Sequence, residues 1–337
     1  MKRLIPTAIA LMGTTAVTSV QANEEVNVYS YRQPFLMEPI FDAFTKESGI
    51  DVNVVFAKKG LTERLKREGK NSPADLIFTV DIGRLNEVVE AGVVQGVTTP
   101  ELEKNIPAQY VGPEGQWYGL TTRARVIYAS KDRVAEGAIT RYEDLAKPEW
   151  KGKICTRSGK HPYNVALIAS MIANNGEAET EKWLTGVKNN LAQKPQGNDR
   201  AQVKAIKEGV CDLAIGNNYY YGKMLMDEEQ SDWAQAVNIV FPNQADRGTH
   251  VNISGVSLTK SAPNKDNAIK LMNFLSNGPA QKIYAEQNFE YPVKPGVGPS
   301  ALVASWGSFK SDTLPLTDIA KYRTLAAKLV DRTGFDN

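Results

Sequence analysis

The sequence predicts an α/β fold in which helices cover the faces of a parallel sheet. Strand-like and helix-like segments alternate near the amino terminus, and a second alternating unit begins near Ile154. Such alternation is typical of parallel sheets with helical crossovers, which bind ligands beyond the carboxyl ends of their strands. Length is the third observation, because about 315 residues remain once a predicted export signal is set aside, enough for two ordinary domains.

The first unit is predicted from apolar runs and apolar spacing. Its strands are predicted at 25–30, 50–57 and 74–81. Its helices are predicted at 39–49, 61–69 and 82–92. Gly49 and Gly92 mark two helix ends, as glycine commonly does. A stretch rich in proline and glycine, 96–117, is predicted to be a loop that leads to extended segments at 118–120 and 123–130.

The second unit repeats the alternation. Strands are predicted at 153–156 and 211–216, and helices at 161–176, 177–191 and 199–209. Pro162 stands near the first turn of its helix, a position that proline favours. Two extended segments, 237–242 and 250–260, then lead back toward the first unit. Apolar spacing predicts that 264–288 and 317–332 are helical.

The first 22 residues have the layout of a secretory signal peptide, with the charged pair Lys2 and Arg3, an apolar run and a small-residue pattern at 20–22. We expect the mature protein to be soluble outside the cytoplasm. Losing this segment removes two of the 40 Lys and Arg and leaves 38 against 38 Asp and Glu. A balanced charge argues against nucleic acid as a partner.

Cys155 and Cys211 flank strand-like runs of the second unit. In an exported protein they could form one disulfide. The alternative is two buried free thiols, and neither arrangement indicates catalysis.

Three consecutive tyrosines, Tyr219, Tyr220 and Tyr221, follow the strand predicted at 211–216. Their spacing fits neither a buried strand face nor a helix stripe. They stand where open α/β sheets bind ligands, although aromatic packing at a helix start is the alternative. Tyr163 stands in the first turn of another predicted helix, whose positive end favours an anion.

Several segments resemble the periplasmic solute-binding proteins of ABC importers, namely RYEDLAKPEWKGKI and the later NAIKLMNFLSNGPAQKIYAEQNFEYPV. More narrowly, the chain resembles the ferric-ion-binding branch of that family, the bacterial transferrin type. The segments that carry this resemblance are YSYRQ, FTVDIGRL, LTTRARVIYASKDRV, CTRSGKHPYNVALIASMIA and GNNYYYGKM. It covers nearly all of the mature chain, and the paired tyrosines inside GNNYYYG are its most specific element.

The resemblance implies two α/β lobes joined by two crossing hinge strands, near 121–129 and 241–255, with ligand held between the lobes. We expect residues 1–22 to be the signal peptide, 23–121 plus about 250–290 the first lobe, and 122–249 plus about 291–337 the second. The implied protein is a periplasmic monomer, not an enzyme. It would deliver Fe(III) to the permease of an ABC importer in the inner membrane.

Residue by residue, the resemblance implies that Tyr163, Tyr219 and Tyr220 are metal ligands. Ferric ion is a hard cation that prefers oxygen donors. A phenol has an ordinary pKa near 10, but a bound metal can displace its proton. Tyr221 then corresponds to a neighbouring packing residue.

A ligand from the first lobe is harder to assign, because Gln33 and Pro34 stand where the family often carries His or Tyr. Tyr29, Tyr31 and Asp81 are possible additional metal or cleft residues. Asp81 would serve equally well as a helix N-cap.

A small anion, carbonate or citrate, or water would then complete the coordination shell. Arg32 and Arg123 are expected to support it, with Arg125 as an alternative to Arg123, because guanidinium groups bind carboxylates in a bidentate manner. The alternative for each arginine is solvated surface charge.

Two other functions stay open on the sequence. The same fold could bind an organic cation such as a polyamine or thiamine, since aromatic rings can enclose a cation. A secreted hydrolase has little support, because the chain lacks a GxSxG element and its two histidines, His161 and His250, are far apart. Colour separates these functions, because ferric phenolate absorbs visible light.

Overall fold

The structure is a computed structural model that describes residues 24–337. The predicted signal peptide lies outside the described residues. The strands are β1 Glu25–Ser30, β2 Asp51–Phe56, β3 Leu76–Thr79, β4 Val94–Gln95, β5 Tyr118–Ser130, β6 Ile154–Cys155, β7 Leu213–Asn217, β8 Val237–Val240, β9 Val251–Thr259 and β10 Tyr291–Pro292.

Helices separate most of these strands. In chain order they are α1 Pro34–Ser48, α2 Leu61–Glu68, α3 Ile82–Glu90, α4 Pro100–Asn105, α5 Pro162–Asn175, α6 Glu177–Asn189, α7 Asp199–Lys207, α8 Tyr219–Leu225, α9 Ser231–Gln235, α10 Lys265–Ser276, α11 Gly278–Asn288, α12 Ala301–Ala304, α13 Leu316–Lys321 and α14 Arg323–Thr333. None of the helices in 24–337 is long and apolar enough to cross a membrane.

The sheet has parallel and antiparallel parts. β1 pairs in parallel with β2 and β3, and β6 pairs in parallel with β7, as the alternating pattern predicts. The long strands β5 and β9 are antiparallel to their neighbours, and the strand order is β2-β1-β3-β9-β5-β7-β6.

The strand β5 passes from one half of the molecule to the other. Its first half pairs with β9, where Thr122 lies opposite Ile253, and its second half pairs with β7 and β8, where Ile127 lies opposite Ile215. The chain returns from β8 to β9 through 241–250. The first crossing is the predicted strand, whereas most of the second is turns and becomes a strand only at Val251. The two-lobe α/β fold is confirmed, and the exact lobe boundaries stay a prediction.

Each half has its own buried core. One core joins α1, β1, β3, α10 and α11 and includes Ile40, Phe78 and Leu271. The other joins α5, α6 and α14 and includes Leu167, Leu184 and Leu329. The helices α6 and α14 bury one apolar face each, whereas α5 is buried on nearly all sides between them and the sheet.

Some predicted elements differ in the structure. The predicted helix 264–288 is two helices, because Asn277 accepts a hydrogen bond from the Ala280 N–H and starts α11, and Pro279 lacks the N–H that a continuous helix needs. The predicted helix 317–332 divides at Tyr322, and β5 is one strand where two segments were expected. The predicted loop 96–117 contains α4, which Thr99 caps.

Cys155 and Cys211 form a disulfide with a Cα–Cα distance of 5.9 Å. The two residues are 56 positions apart in sequence. Closing such a loop stabilises the folded state by about 4 kcal/mol if the effect is the lost entropy of the unfolded chain.

Candidate metal site

Three phenol side chains meet where α5 and α8 begin. Tyr163 lies in the first turn of α5, and Tyr219 opens α8 two residues after β7 ends. The hydroxyl oxygens of Tyr163 and Tyr219 lie 3.3 Å apart. The ring of Tyr220 packs on that of Tyr219, with 4.3 Å between their centroids. The structure thus brings Tyr163 beside the adjacent pair Tyr219 and Tyr220, although 56 positions separate Tyr163 from Tyr219.

The turn that leads into α8 is fixed by hydrogen bonds to β5. The Asn218 side-chain oxygen accepts from the Ala124 N–H at 2.8 Å, and the Asn218 N–H donates to the Ala124 carbonyl at 3.1 Å. Gly222 lies against Phe289, where a Cβ atom would come within 2.5 Å of the ring. A side chain at position 222 would therefore displace the helix that carries Tyr219 and Tyr220.

The three tyrosines line a cavity of about 750 Å³. Its remaining lining includes seven cationic side chains and one carboxylate, that of Glu290. Tyr221 is not part of the lining. Instead, its ring contacts Trp306 and Tyr128, as expected for a packing residue.

Burial changes the acidity of the phenols. Burial, and then the proximity of Tyr163, raises the pKa of Tyr219 well above its ordinary value near 10. Burial and Tyr163 likewise raise the pKa of Tyr220. These two phenols are therefore protonated at neutral pH when no metal is bound, and a metal must displace their protons to bind.

Arg123 and Arg32 both line the cavity, but their partners differ. Arg32 forms a salt bridge with Glu290 at 2.8 Å and also donates to the Ser254 hydroxyl. Arg123 is 2% exposed and donates to the same hydroxyl at 3.2 Å. Among residues 24–337, Arg123 has no salt-bridge partner, so no carboxylate there offsets its buried positive charge. The sequence does not indicate that Glu290 is the salt-bridge partner of Arg32, because the two residues are 258 positions apart.

Arg125 belongs to a different buried network. It pairs with Asp199 at 2.5 Å and donates to the Asn164 side chain at 2.6 Å. Arg157 pairs with the other oxygen of Asp199 at 3.1 Å, and its guanidinium lies 5.4 Å from the centre of the Tyr163 ring. Burial alone would raise the pKa of Asp199, but the two arginines outweigh it and the pKa is lowered. Arg157 and Asp199 carry no sequence signal for this site, because they meet only in the folded chain.

The proposed first-lobe residues have other partners. The Tyr29 hydroxyl donates to Glu68 at 2.9 Å, and Tyr29 does not line the cavity. Tyr31 lines the cavity, but its hydroxyl accepts hydrogen bonds from the backbone of Leu61 and Thr62. Asp81 caps α3 by accepting from the Arg84 N–H at 3.0 Å, and it borders a separate, smaller cavity. The cap that the sequence offered as an alternative is present at Asp81.

Carboxylate and imidazole groups offer no competing metal site in the described part of the chain. No group of three or more His, Cys, Asp or Glu side chains there is arranged to hold a metal ion. The phenol cluster offers oxygen atoms, the donor type that a hard cation prefers.

The chain is similar to known proteins over most of its length. A family model described as bacterial extracellular solute-binding protein matches residues 71–305. The chain is 43% identical over 315 residues to Iron uptake protein A1 of Synechocystis sp.. The aligned residues make up 93% of this chain and 88% of that protein.

Solved structures give the same picture. The apo ferric ion-binding protein A of Pasteurella haemolytica matches with a TM-score of 0.90 and 59% identity, over 94% of this chain and 99% of that one. A Trichodesmium protein solved in complex with iron and citrate ligands matches with a TM-score of 0.87 and 43% identity, over 92% and 99% of the two chains.

Proposed function

We propose that this chain, which belongs to the bacterial extracellular solute-binding protein family, captures ferric ion with the phenolates of Tyr163, Tyr219 and Tyr220. The observation that carries the proposal is the 3.3 Å distance between the Tyr163 and Tyr219 hydroxyl oxygens, with Tyr220 packed beside them. Two phenols this close can share one metal ion. The names of the relatives, which refer to iron uptake and ferric binding, support iron as the cargo.

Charge balance supports the same cargo. Three phenolates neutralise the three positive charges of ferric ion, and hard oxygen donors suit it. The buried guanidinium of Arg123 then stands ready for a small anion such as carbonate or citrate, which would fill the remaining coordination positions. Arg32 contributes less to this role, because Glu290 already occupies its guanidinium.

The cargo is carried rather than transformed, because the chain is a solute-binding protein and not an enzyme. The lobes would close over the iron, and the permease of an ABC importer in the inner membrane would accept the loaded protein. We therefore expect the mature protein to work in the periplasm, and we expect it to be a monomer. An organic cation such as a polyamine or thiamine is disfavoured by the seven cationic side chains that line the cavity.

Acid is expected to release the iron. The pKa values of Tyr219 and Tyr220 are raised in the metal-free protein. These phenols therefore take up protons when iron leaves, and a falling pH favours release. For each phenolate ligand, the affinity for ferric ion falls by up to about tenfold when the pH drops by one unit. Competition with nitrilotriacetate between about pH 8 and about pH 5, corrected for protonation of the competitor, measures this slope.

The Tyr219→Phe variant is the matched comparison for that experiment. This variant has one phenol fewer, so about one proton fewer is taken up when iron leaves. The slope of log affinity against pH should therefore be smaller by about one. A wild-type affinity that stays constant over these three pH units would rule out a site built on phenolates.

A further inference from the structure

The cavity around the tyrosines concentrates positive charge. Seven cationic side chains and one carboxylate line it, although the formal charge of the whole chain is only +2. The single carboxylate, that of Glu290, is already paired with Arg32. Phenols are ordinarily uncharged at neutral pH, so the tyrosines do not offset this charge before iron binds.

Five of the seven cations have no salt-bridge partner among residues 24–337. They are Lys58, Arg84, Arg123, Arg200 and Lys223. Three of them donate instead to neutral oxygens: Arg84 to the Lys58 carbonyl, Arg200 to the Gln230 side chain and Lys223 to the Gln287 carbonyl. A neutral acceptor satisfies a donor without cancelling its charge, so the cavity keeps a positive field.

Three of these cations form what we call the rim: Lys58 after β2, Arg84 in α3 and Arg200 in α7. Lys58 is exposed, and Arg84 and Arg200 are partly exposed. The rim cations thus place solvent-accessible positive charge on the lining of the cavity that holds the tyrosines. A cleft lined by charge of one sign attracts ligands of the opposite sign and raises their association rate.

We propose that the cleft takes up iron as an anionic ferric chelate, with the rim cations drawing it in, rather than as the hydrated cation. The inference rests on the proposed function and adds the form in which the iron arrives. A trivalent cation approaching alone would be repelled by the same field. A ferric hydroxycarboxylate chelate with net negative charge is attracted, and its carboxylates meet guanidinium groups that bind them well.

Association kinetics test this without any variant. Stopped-flow mixing with ferric dicitrate, which carries several negative charges, is compared with ferric nitrilotriacetate, whose charge is close to zero. From about 20 mM to about 300 mM sodium chloride, the dicitrate rate should fall by roughly tenfold or more, because salt screens the rim. The nitrilotriacetate rate should change by less than about twofold.

Variants then assign the effect to the rim. The triple change Lys58→Gln, Arg84→Gln, Arg200→Gln should remove most of the salt dependence for dicitrate. The matched control is the triple change Lys151→Gln, Lys207→Gln, Lys328→Gln, which removes the same charge at exposed positions outside the cavity. This control variant should retain the salt dependence of the dicitrate rate.

The outcomes separate the two proposals. Iron taken up from both chelates, with dicitrate rates that do not respond to salt, would overturn the anionic-chelate inference and leave ferric capture intact. The anionic-chelate inference also fails if the two triple variants behave alike. No transfer of iron from either chelate would overturn both proposals.

Discussion

Replacing Tyr219 and Tyr220 together by phenylalanine is expected to abolish ferric binding and the visible colour of the iron-loaded protein. Phenylalanine keeps both rings and their mutual packing, at 4.3 Å between centroids, but removes two of the three oxygen donors. Even if each lost phenolate cost only as much as a charge-assisted hydrogen bond, the affinity would fall by at least about 100-fold. Titration with ferric citrate, followed by absorbance, measures the loss.

The third tyrosine of the run provides the control. Tyr221 is adjacent in sequence, but it packs against Trp306 and does not line the cavity. Tyr221→Phe should therefore leave colour and affinity nearly unchanged. If the double variant keeps its original spectrum, or if Tyr221→Phe loses it, the assignment of the ligands is wrong.

The second large effect concerns the buried charges behind Tyr163. Asp199 is fully buried and pairs with both Arg125 and Arg157. Asp199→Asn preserves the size of the side chain but leaves the buried Arg125 without a counter-ion. Breaking a buried pair in this way is expected to lower the free energy of unfolding by about 3–5 kcal/mol. Urea unfolding of the metal-free protein measures it.

The stability difference between wild type and Asp199→Asn should decrease in acid. The pKa of Asp199 is lowered in the folded protein, so its contribution is fully present above its unfolded pKa of about 3.9. That contribution is lost as pH falls through the lower folded value. The stability difference between wild type and variant should be constant near neutral pH and shrink below about pH 4.

A matched control uses the exposed Asp132. Asp132→Asn should change the free energy of unfolding by less than about 0.5 kcal/mol. Equal stabilities for the Asp199 and Asp132 variants would show that the buried network does not stabilise the fold.

Local sequence patterns account for much of the fold and for the tyrosine cluster. Alternating strands and helices are visible because several buried strands are short apolar runs and the helices are longer segments with apolar residues at helical spacing. Tyr219 and Tyr220 draw attention because they follow the end of a strand, and Tyr163 because it opens a helix. That all three act as ligands is what the family resemblance implies. Strand ends and helix starts gather at one edge of such a sheet.

Partners that are distant in sequence could not be predicted. Nothing near Arg32 shows that Glu290 neutralises it, and nothing near Tyr29 shows that its hydroxyl contacts Glu68. Both contacts depend on how the crossing segments and helices pack. The positive field of the cavity is also invisible in a chain with nearly balanced charge.

The most direct measurement is the coordination of iron in a crystal structure of the loaded protein, located by anomalous scattering. We predict bonds from the phenolate oxygens of Tyr163, Tyr219 and Tyr220, with an anion or water beside Arg123 in the remaining positions. Iron bound at another place, or bound in this cavity without these three phenolates, would contradict the account.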